Sequence, residues 1–133
     1  MSVAVAHQPS ATGRLALREA ARQASYRNTG LTVIHIADST DLDLAEAHTA
    51  KLRDDIAGVL TETSVSGLDW ELALAPGAGV ENTADTILEL ATKADAELLV
   101  IGARRRSPVG KALLGSVTQT LILDADIPVL VVK

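Results

Sequence analysis

The segment "ELLVIGARRRSPVGKALLGSV", residues 97–117, contains the pattern that decides the fold of this chain. Residues 97–102 are a short run, apolar in its middle, that ends at Gly102, which is typical of a strand covered on both faces. Gly115 then directly precedes Ser116, the predicted start of a helix that continues to about Asp124. A buried strand, a loop bounded by glycines and a helix, in this order, indicate part of a βαβ unit.

The same alternation extends outward from this segment to both ends of the chain. In the predicted helix over 13–27, the apolar residues Leu17, Ala20, Ala21 and Ala24 share one face, and Asn28 and Gly30 are expected to end it. Further helices are predicted over 41–60, around 84–91 and over 116–124. Strands are predicted at 2–7, 31–38, 68–75, 97–102 and 127–133. The sequence therefore predicts an α/β fold, an open five-stranded parallel sheet with helices on both faces.

Composition excludes several classes of protein. The 133 residues are expected to form one domain over 1–133, with 47% apolar and 22% charged residues. The net charge of −5 argues against general binding to nucleic acid or to anionic membrane, and the absence of cysteine excludes disulfides and thiolate metal sites. No apolar run approaches the roughly 20 residues that span a bilayer, and the first residues lack a signal-peptide pattern. We therefore expect a cytoplasmic protein.

The loop between Gly102 and Gly115 is a candidate anion site. In parallel sheets, ligands bind outside the carboxyl ends of the strands, and this loop follows such an end. Glycine permits close approach to a phosphate, and the free N–H groups of a helix start point at the anion. Arg104, Arg105, Arg106 and Lys111 supply four of the twelve basic residues. The alternative is that "SPVGKALLG" forms a short helix preceded by solvated arginines.

Residues 94–133 resemble the C-terminal part of the universal stress protein family. That family has a G-x2-G-x9-G-[S/T] nucleotide loop, in which Gly102 matches the first glycine, Gly115 the third and Ser116 the hydroxyl residue. The order of elements and the length match over the whole chain. Two positions depart from the ATP-binding pattern: Arg105 replaces the second glycine, and Gln8 replaces an aspartate that contacts adenine.

The resemblance implies a Rossmann-like or flavodoxin-like fold of the adenine nucleotide alpha hydrolase type, with strand order 3-2-1-4-5. It also implies a small dimeric stress-response protein that binds ATP, with magnesium, or another adenine nucleotide in a regulatory role. The Gln8 amide can bond the adenine edge, and the Arg105 guanidinium can bond phosphate. The expected nucleotide contacts are Ala6, His7, Gln8, Ile36, Ile101, Gly102, Arg104, Arg105, Gly115, Ser116 and Val117.

Two other functions remain open at this stage. The family also contains members that do not bind ATP, so the chain could be a dimeric interaction module that presents its basic loop to an acidic protein partner. A dinucleotide or flavin enzyme is the third hypothesis, based on "GAGVEN" at residues 77–82, although a plain turn explains that segment better. No arrangement of catalytic residues is identifiable, so slow ATP hydrolysis is the most enzymatic activity expected.

The histidines and the acidic residues do not form a metal motif in the sequence. His7 closes the first predicted strand near the expected ligand crevice, His35 is predicted to be a core residue, and His48 lies on a helix among polar neighbours. Their spacing does not match a zinc site. The acidic residues from Asp38 to Glu46 are typical of a solvated helix start, so no metal ligands are predicted.

The last predicted strand, residues 127–133, is apolar on both faces. At the edge of a sheet, such a strand would expose unpaired backbone groups and apolar side chains. Pairing with the same strand of a second copy would cover both, and two-fold dimers are the commonest oligomers. The sequence thus predicts a homodimer through 127–133, the alternative being that this strand lies in the interior of the sheet.

Overall fold

The computed structural model describes residues 1–37, 42–63, 65, 67–76, 80–103 and 115–133. Within these ranges, strands and helices alternate from the first element to the last. In chain order, the elements are β1 (Ser2–Ala6), α1 (Ala11–Tyr26), β2 (Gly30–Ala37), α2 (Leu42–Glu62), β3 (Trp70–Pro76), α3 (Val80–Lys93), β4 (Ala96–Gly102), α4 (Ser116–Asp124) and β5 (Val129–Val132).

The strands of the described residues form one five-stranded sheet in the order β3-β2-β1-β4-β5. All neighbouring strands are parallel. The predicted fold class and strand order are therefore confirmed. The chain adds β2 and β3 on one side of β1 and then crosses by α3 to add β4 and β5 on the other side. This reversal places the switch point of the sheet between β1 and β4.

Helices cover both faces of the sheet because successive strand residues point to opposite sides. Val3 and Val5 of β1 belong to a core cluster with α1 and α2 residues, whereas Ala4 belongs to a second cluster that includes residues of α3 and α4. Both faces of the central strands are therefore apolar, which explains the continuous apolar runs in β2 and β4.

The apolar face predicted for α1 is the buried face in the structure. Leu17, Ala20, Ala21 and Ala24 have no exposed surface. Three of these four are alanines, and small side chains let the helix axis lie close to the sheet. Leu17 is the one large side chain of the four, and it belongs to the first core cluster.

The end of α1 corrects one detail of the sequence analysis. Asn28 has a φ of 54°, and the Thr29 N–H donates to the Ala24 carbonyl, so Asn28 is the left-handed residue that stops the helix. Gly30 was expected to share that role, but it is the first residue of β2. Asparagine tolerates the left-handed conformation well enough that no glycine is required.

The two edge strands differ in character. β3 is one edge of the sheet, where Trp70 and Leu72 pack against the first core cluster and Leu74 is 42% exposed. β5 is the other edge, and all four of its residues are partly buried. Next to β5 in the chain, Leu123 of α4 is 80% exposed. In the described part of the chain, no helix combines the length and apolarity needed to cross a membrane.

Candidate functional site

A cleft of about 100 Å³ lies at the switch point, where β1 and β4 end. Three of the residues that line it, Ala6, Gln8 and Gly102, are among the predicted nucleotide contacts. The other three, which are not among the predicted contacts, come from the start of α1: Ser10, Thr12 and Gly13. The cleft is smaller than the roughly 300–1,000 Å³ of ligand pockets, so by itself it holds part of a ligand and not a whole nucleotide.

The start of α1 is fixed against the end of β1 by a local cap. Ser10 is the N-cap residue, and its hydroxyl accepts a hydrogen bond of 3.0 Å from the Gly13 N–H. A Cβ on Gly13 would collide with the Gln8 carbonyl oxygen. Glycine at this position therefore lets the first turn of α1 fold back onto the chain that leaves β1.

Gly102 has a similar steric role at the end of β4. A Cβ there would lie 3.0 Å from the backbone oxygen of Thr12, closer than most real Cβ contacts. The sequence pattern connects Gly102 with phosphate binding, and the structure adds a steric reason for glycine at this position. Gly102 lets the start of α1 pack across the end of β4, and this contact forms one wall of the cleft.

The first turn of α4 presents a different helix start. Its N-cap residue is Gly115, which has no side chain to accept a hydrogen bond from the next amides. Gly115 and Ser116 are exposed, and no described atom lies within 4 Å of a Cβ placed on Gly115. Because α4 connects two parallel strands, it begins at the same edge of the sheet as the cleft. Backbone N–H groups at the start of a helix point toward such a position and favour an anion there.

The remaining predicted contacts fall into three groups. Ala6, Ile36 and Val117 are partly buried and pack against the second core cluster. Ile101 is only 2% exposed and lies inside that cluster, so its side chain is part of the core. Arg104 and Arg105 lie outside the described residues, together with Arg106, Lys111 and the alternative short helix of the loop.

His7 and His35 form a pair that the sequence analysis did not connect. Their Nδ1 atoms are 3.4 Å apart, and their ring centroids are 5.5 Å apart. His35 was expected to be a core residue, but it is only partly buried, near the carboxyl edge of the sheet. The pair could have been found from two histidines at the same register position of neighbouring parallel strands. That register is known only once the strand pairing is known.

Burial governs the protonation of His7, which is 9% exposed. Loss of solvation and, to a smaller extent, the neighbouring His35 lower the pKa of His7 to about 4, and the attraction of the Asp55 carboxylate only partly opposes this. The His7 ring is therefore neutral at pH 7. His7 does not line the cleft itself, although it lies between Ala6 and Gln8 in the chain.

Comparison with known proteins identifies the family. The sequence matches the universal stress protein family over residues 1–133. A universal stress protein from Mycolicibacterium smegmatis is 38% identical over 132 residues, which cover 98% of this chain and 96% of that protein. This chain belongs to the universal stress protein family.

Solved structures of universal stress proteins have the same fold. The universal stress protein from Archaeoglobus fulgidus is 30% identical, with a TM-score of 0.81, and the match covers 100% of this chain and 98% of that chain. A second structure from the same organism, a complex with dAMP, is 27% identical, with a TM-score of 0.75 and the same coverage of both chains. The resemblance stated from residues 94–133 is thus confirmed for the family and for the fold.

Proposed function

We propose that this universal stress protein binds an adenine nucleotide in a regulatory role, with ATP and magnesium as the first ligand to test. The observation that carries the proposal is the cleft at the switch point, where Gln8 and Gly102 meet the start of α1. The A. fulgidus relative that was solved with dAMP supports the class of ligand. The regulatory role follows from the lack of an identifiable catalytic arrangement in the sequence.

In this proposal, Gln8 contacts the adenine. Its side-chain amide offers one donor and one acceptor, which match the amino group and the adjacent ring nitrogen of adenine. Guanine has an oxygen in place of that amino group and presents a different pattern. The aspartate of the ATP-binding pattern can only accept hydrogen bonds when ionised, so Gln8 retains the acceptor, adds a donor and removes a charge.

The phosphates are proposed to lie against the first turn of α4. The N–H groups around Gly115, Ser116 and Val117 have no side-chain cap from Gly115, and the helix dipole favours an anion at this end. No described atom lies within 4 Å of a Cβ placed on Gly115, so the described residues leave this position open. Arg104 and Arg105 are proposed to add charge-assisted hydrogen bonds. Magnesium would neutralise part of the phosphate charge.

Thermal unfolding with and without millimolar Mg·ATP tests the proposal. A ligand at about 100 times its dissociation constant stabilises a protein by roughly 2.7 kcal/mol, a shift of several degrees for a chain of this size. We expect a shift with ATP and a smaller one with GTP. Replacing Gly115 by Val together with Ser116 by Ala should abolish the shift, because the new side chain occupies the proposed phosphate position.

The matched control is the double variant Gly58→Val with Ser25→Ala. Both residues are exposed on helices, and neither lies at the cleft. The control should keep the shift with ATP. If wild-type protein shows no shift with any adenine nucleotide, the proposal is wrong, and the nucleotide-free interaction module becomes the better hypothesis.

We further propose that two copies of the chain associate through residues 127–133. β5 is an edge strand, and Ile122 and Leu123 of the preceding helix are 40% and 80% exposed. A second copy would pair with the free edge and cover these side chains. Location in the cytoplasm stays a prediction.

A further inference from the structure

His7 and His35 are two metal-ligating side chains in contact with each other, and neither lines the cleft. β1 and β2 are in parallel register, with Ala6 opposite Ile34, so the next residues in each strand direction are His7 and His35. The His7 N–H donates to the Ile34 carbonyl at 2.8 Å, which extends this register past the end of β1. The backbone therefore holds the two rings side by side.

The rings approach each other through their nitrogens. The Nδ1–Nδ1 distance is 3.4 Å, which is longer than the roughly 2.7–3.2 Å of well-formed hydrogen bonds donated by N–H groups. Two nitrogens bound to one tetrahedral Zn²⁺ at about 2.0–2.1 Å lie about 3.3–3.4 Å apart. The observed spacing thus suits a shared ion at least as well as a shared proton.

We propose that His7 and His35 bind a divalent ion of the borderline class, for which Zn²⁺ is the probe, through their two Nδ1 atoms. Within the described ranges, no group of three or more histidine, aspartate or glutamate side chains could hold a metal together. Among the described residues, the two histidines are therefore the only protein ligands of the proposed ion, and two such ligands bind more weakly than the four of a structural zinc site. The ion would join the carboxyl ends of β1 and β2 directly beside Gln8.

Burial opposes a positive charge at His7, but one neighbouring carboxylate favours a cation there. The His7 ring is neutral at pH 7, so its nitrogen lone pair is available to a metal. The carboxylate of Asp55 on α2 favours positive charge at His7. To bind through both Nδ1 atoms, each ring carries its proton on Nε2, so the ring that donates within the pair shifts its proton from one nitrogen to the other. The ion thereby takes the place of the proton between the two Nδ1 atoms.

Isothermal titration of Zn²⁺ into chelator-treated protein, without nucleotide, tests the inference. We expect one Zn²⁺ per chain. His35→Gln should weaken binding by at least about tenfold, because loss of a ligand costs no less than loss of a group that orients one. His48→Gln is the matched control, since His48 is an exposed histidine on α2, and this variant should bind like wild type.

Three results would overturn the inference: no Zn²⁺ binding by wild-type protein, unchanged binding by His35→Gln, or loss of binding in His48→Gln. His7→Gln is a second test. Because His7 is buried, this variant can fail to fold, and in that case the result with His35→Gln is the one that counts. Electron paramagnetic resonance of bound Cu²⁺ gives an independent measurement, with coupling to two nitrogens expected in wild type and to one in His35→Gln. All of these experiments are done without nucleotide. A negative result would therefore contradict the metal site and would not bear on the proposed nucleotide binding.

Discussion

At the scale of single residues, the cleft depends on two close backbone approaches. Gly13 faces the Gln8 carbonyl, and Gly102 faces the backbone of Thr12. Both contacts join the start of α1 to a strand end, and both leave no room for a side chain. The residues that shape this edge of the sheet therefore include two that contribute no functional group.

Gly13→Ala is expected to destabilise the protein by about 1–3 kcal/mol, because the new methyl group collides with backbone and cannot be relieved by a rotamer change. This cost exceeds the helix propensity that alanine gains over glycine. The midpoint of urea unfolding measures the change. A Gly13→Ala variant as stable as wild type would contradict the close packing of α1 against Gln8.

The lowered pKa of His7 predicts a loss of stability in acid. Its folded pKa of about 4 lies below the unfolded value of 6.5, so the unfolded chain binds more protons between these values. The contribution of the neutral ring is fully present above pH 6.5 and is lost as the pH falls toward 4. At pH 4.5 the loss should be about 2–3 kcal/mol relative to pH 7.5.

Urea unfolding at these two pH values, in buffer with a chelator, measures this dependence. Carboxylates also titrate in the range, so the comparison is between wild type and His7→Gln, which should lose less stability on acidification. His48→Gln keeps the buried ring and should behave like wild type. Equal acid sensitivity of wild type and His7→Gln would show that His7 is not the group responsible.

At the scale of elements, α2 contains an interior glycine that lowers the stability of the helix. Gly58 lies inside α2, is exposed and has no described atom within 4 Å of a Cβ placed on it. A glycine inside a helix costs conformational entropy and has no packing role at an open position.

Gly58→Ala should therefore stabilise the protein by about 0.5–1 kcal/mol. The same urea midpoint measures it, and the opposite signs expected for Gly13→Ala and Gly58→Ala make the two variants controls for each other. A decrease in stability at Gly58→Ala would mean that this face of α2 is covered, for example by a second copy of the chain.

At the scale of the whole molecule, the sheet has two different edges. β3 ends one side, and β5 ends the other, where apolar side chains of α4 remain exposed. An edge of this kind favours association, whereas isolated apolar residues elsewhere do not.

Leu123→Lys should shift the protein from dimer to monomer in sedimentation velocity at micromolar concentration, because a charge would be buried in the interface. Tyr26→Lys is the control: Tyr26 is 75% exposed, at the end of α1, and its replacement should leave the sedimentation unchanged. A monomeric wild type would contradict the proposed association through 127–133.

The sequence by itself determined the alternation of strands and helices, the bounds of α4 and the buried face of α1. These features depend on periodicity and capping within a few neighbouring residues, so they can be found without knowing the fold. Strand order was a different matter, since it came from the resemblance of residues 94–133 to a family. Gln8 was also found in this way, as a position within the family pattern, whereas Gly102 was first identified as the end of a predicted strand that is followed by a glycine-bounded loop.

Only the tertiary structure brought together residues that are distant in the sequence. His7 meets His35 because β1 and β2 are neighbours in register, and Thr12 meets Gly102 because α1 starts across the end of β4. Ser10, Thr12 and Gly13 carry no motif that marks them as cleft residues. Local physics specifies each element, but the pairing of strands and the resulting contacts depend on how the elements pack, and no short segment encodes that.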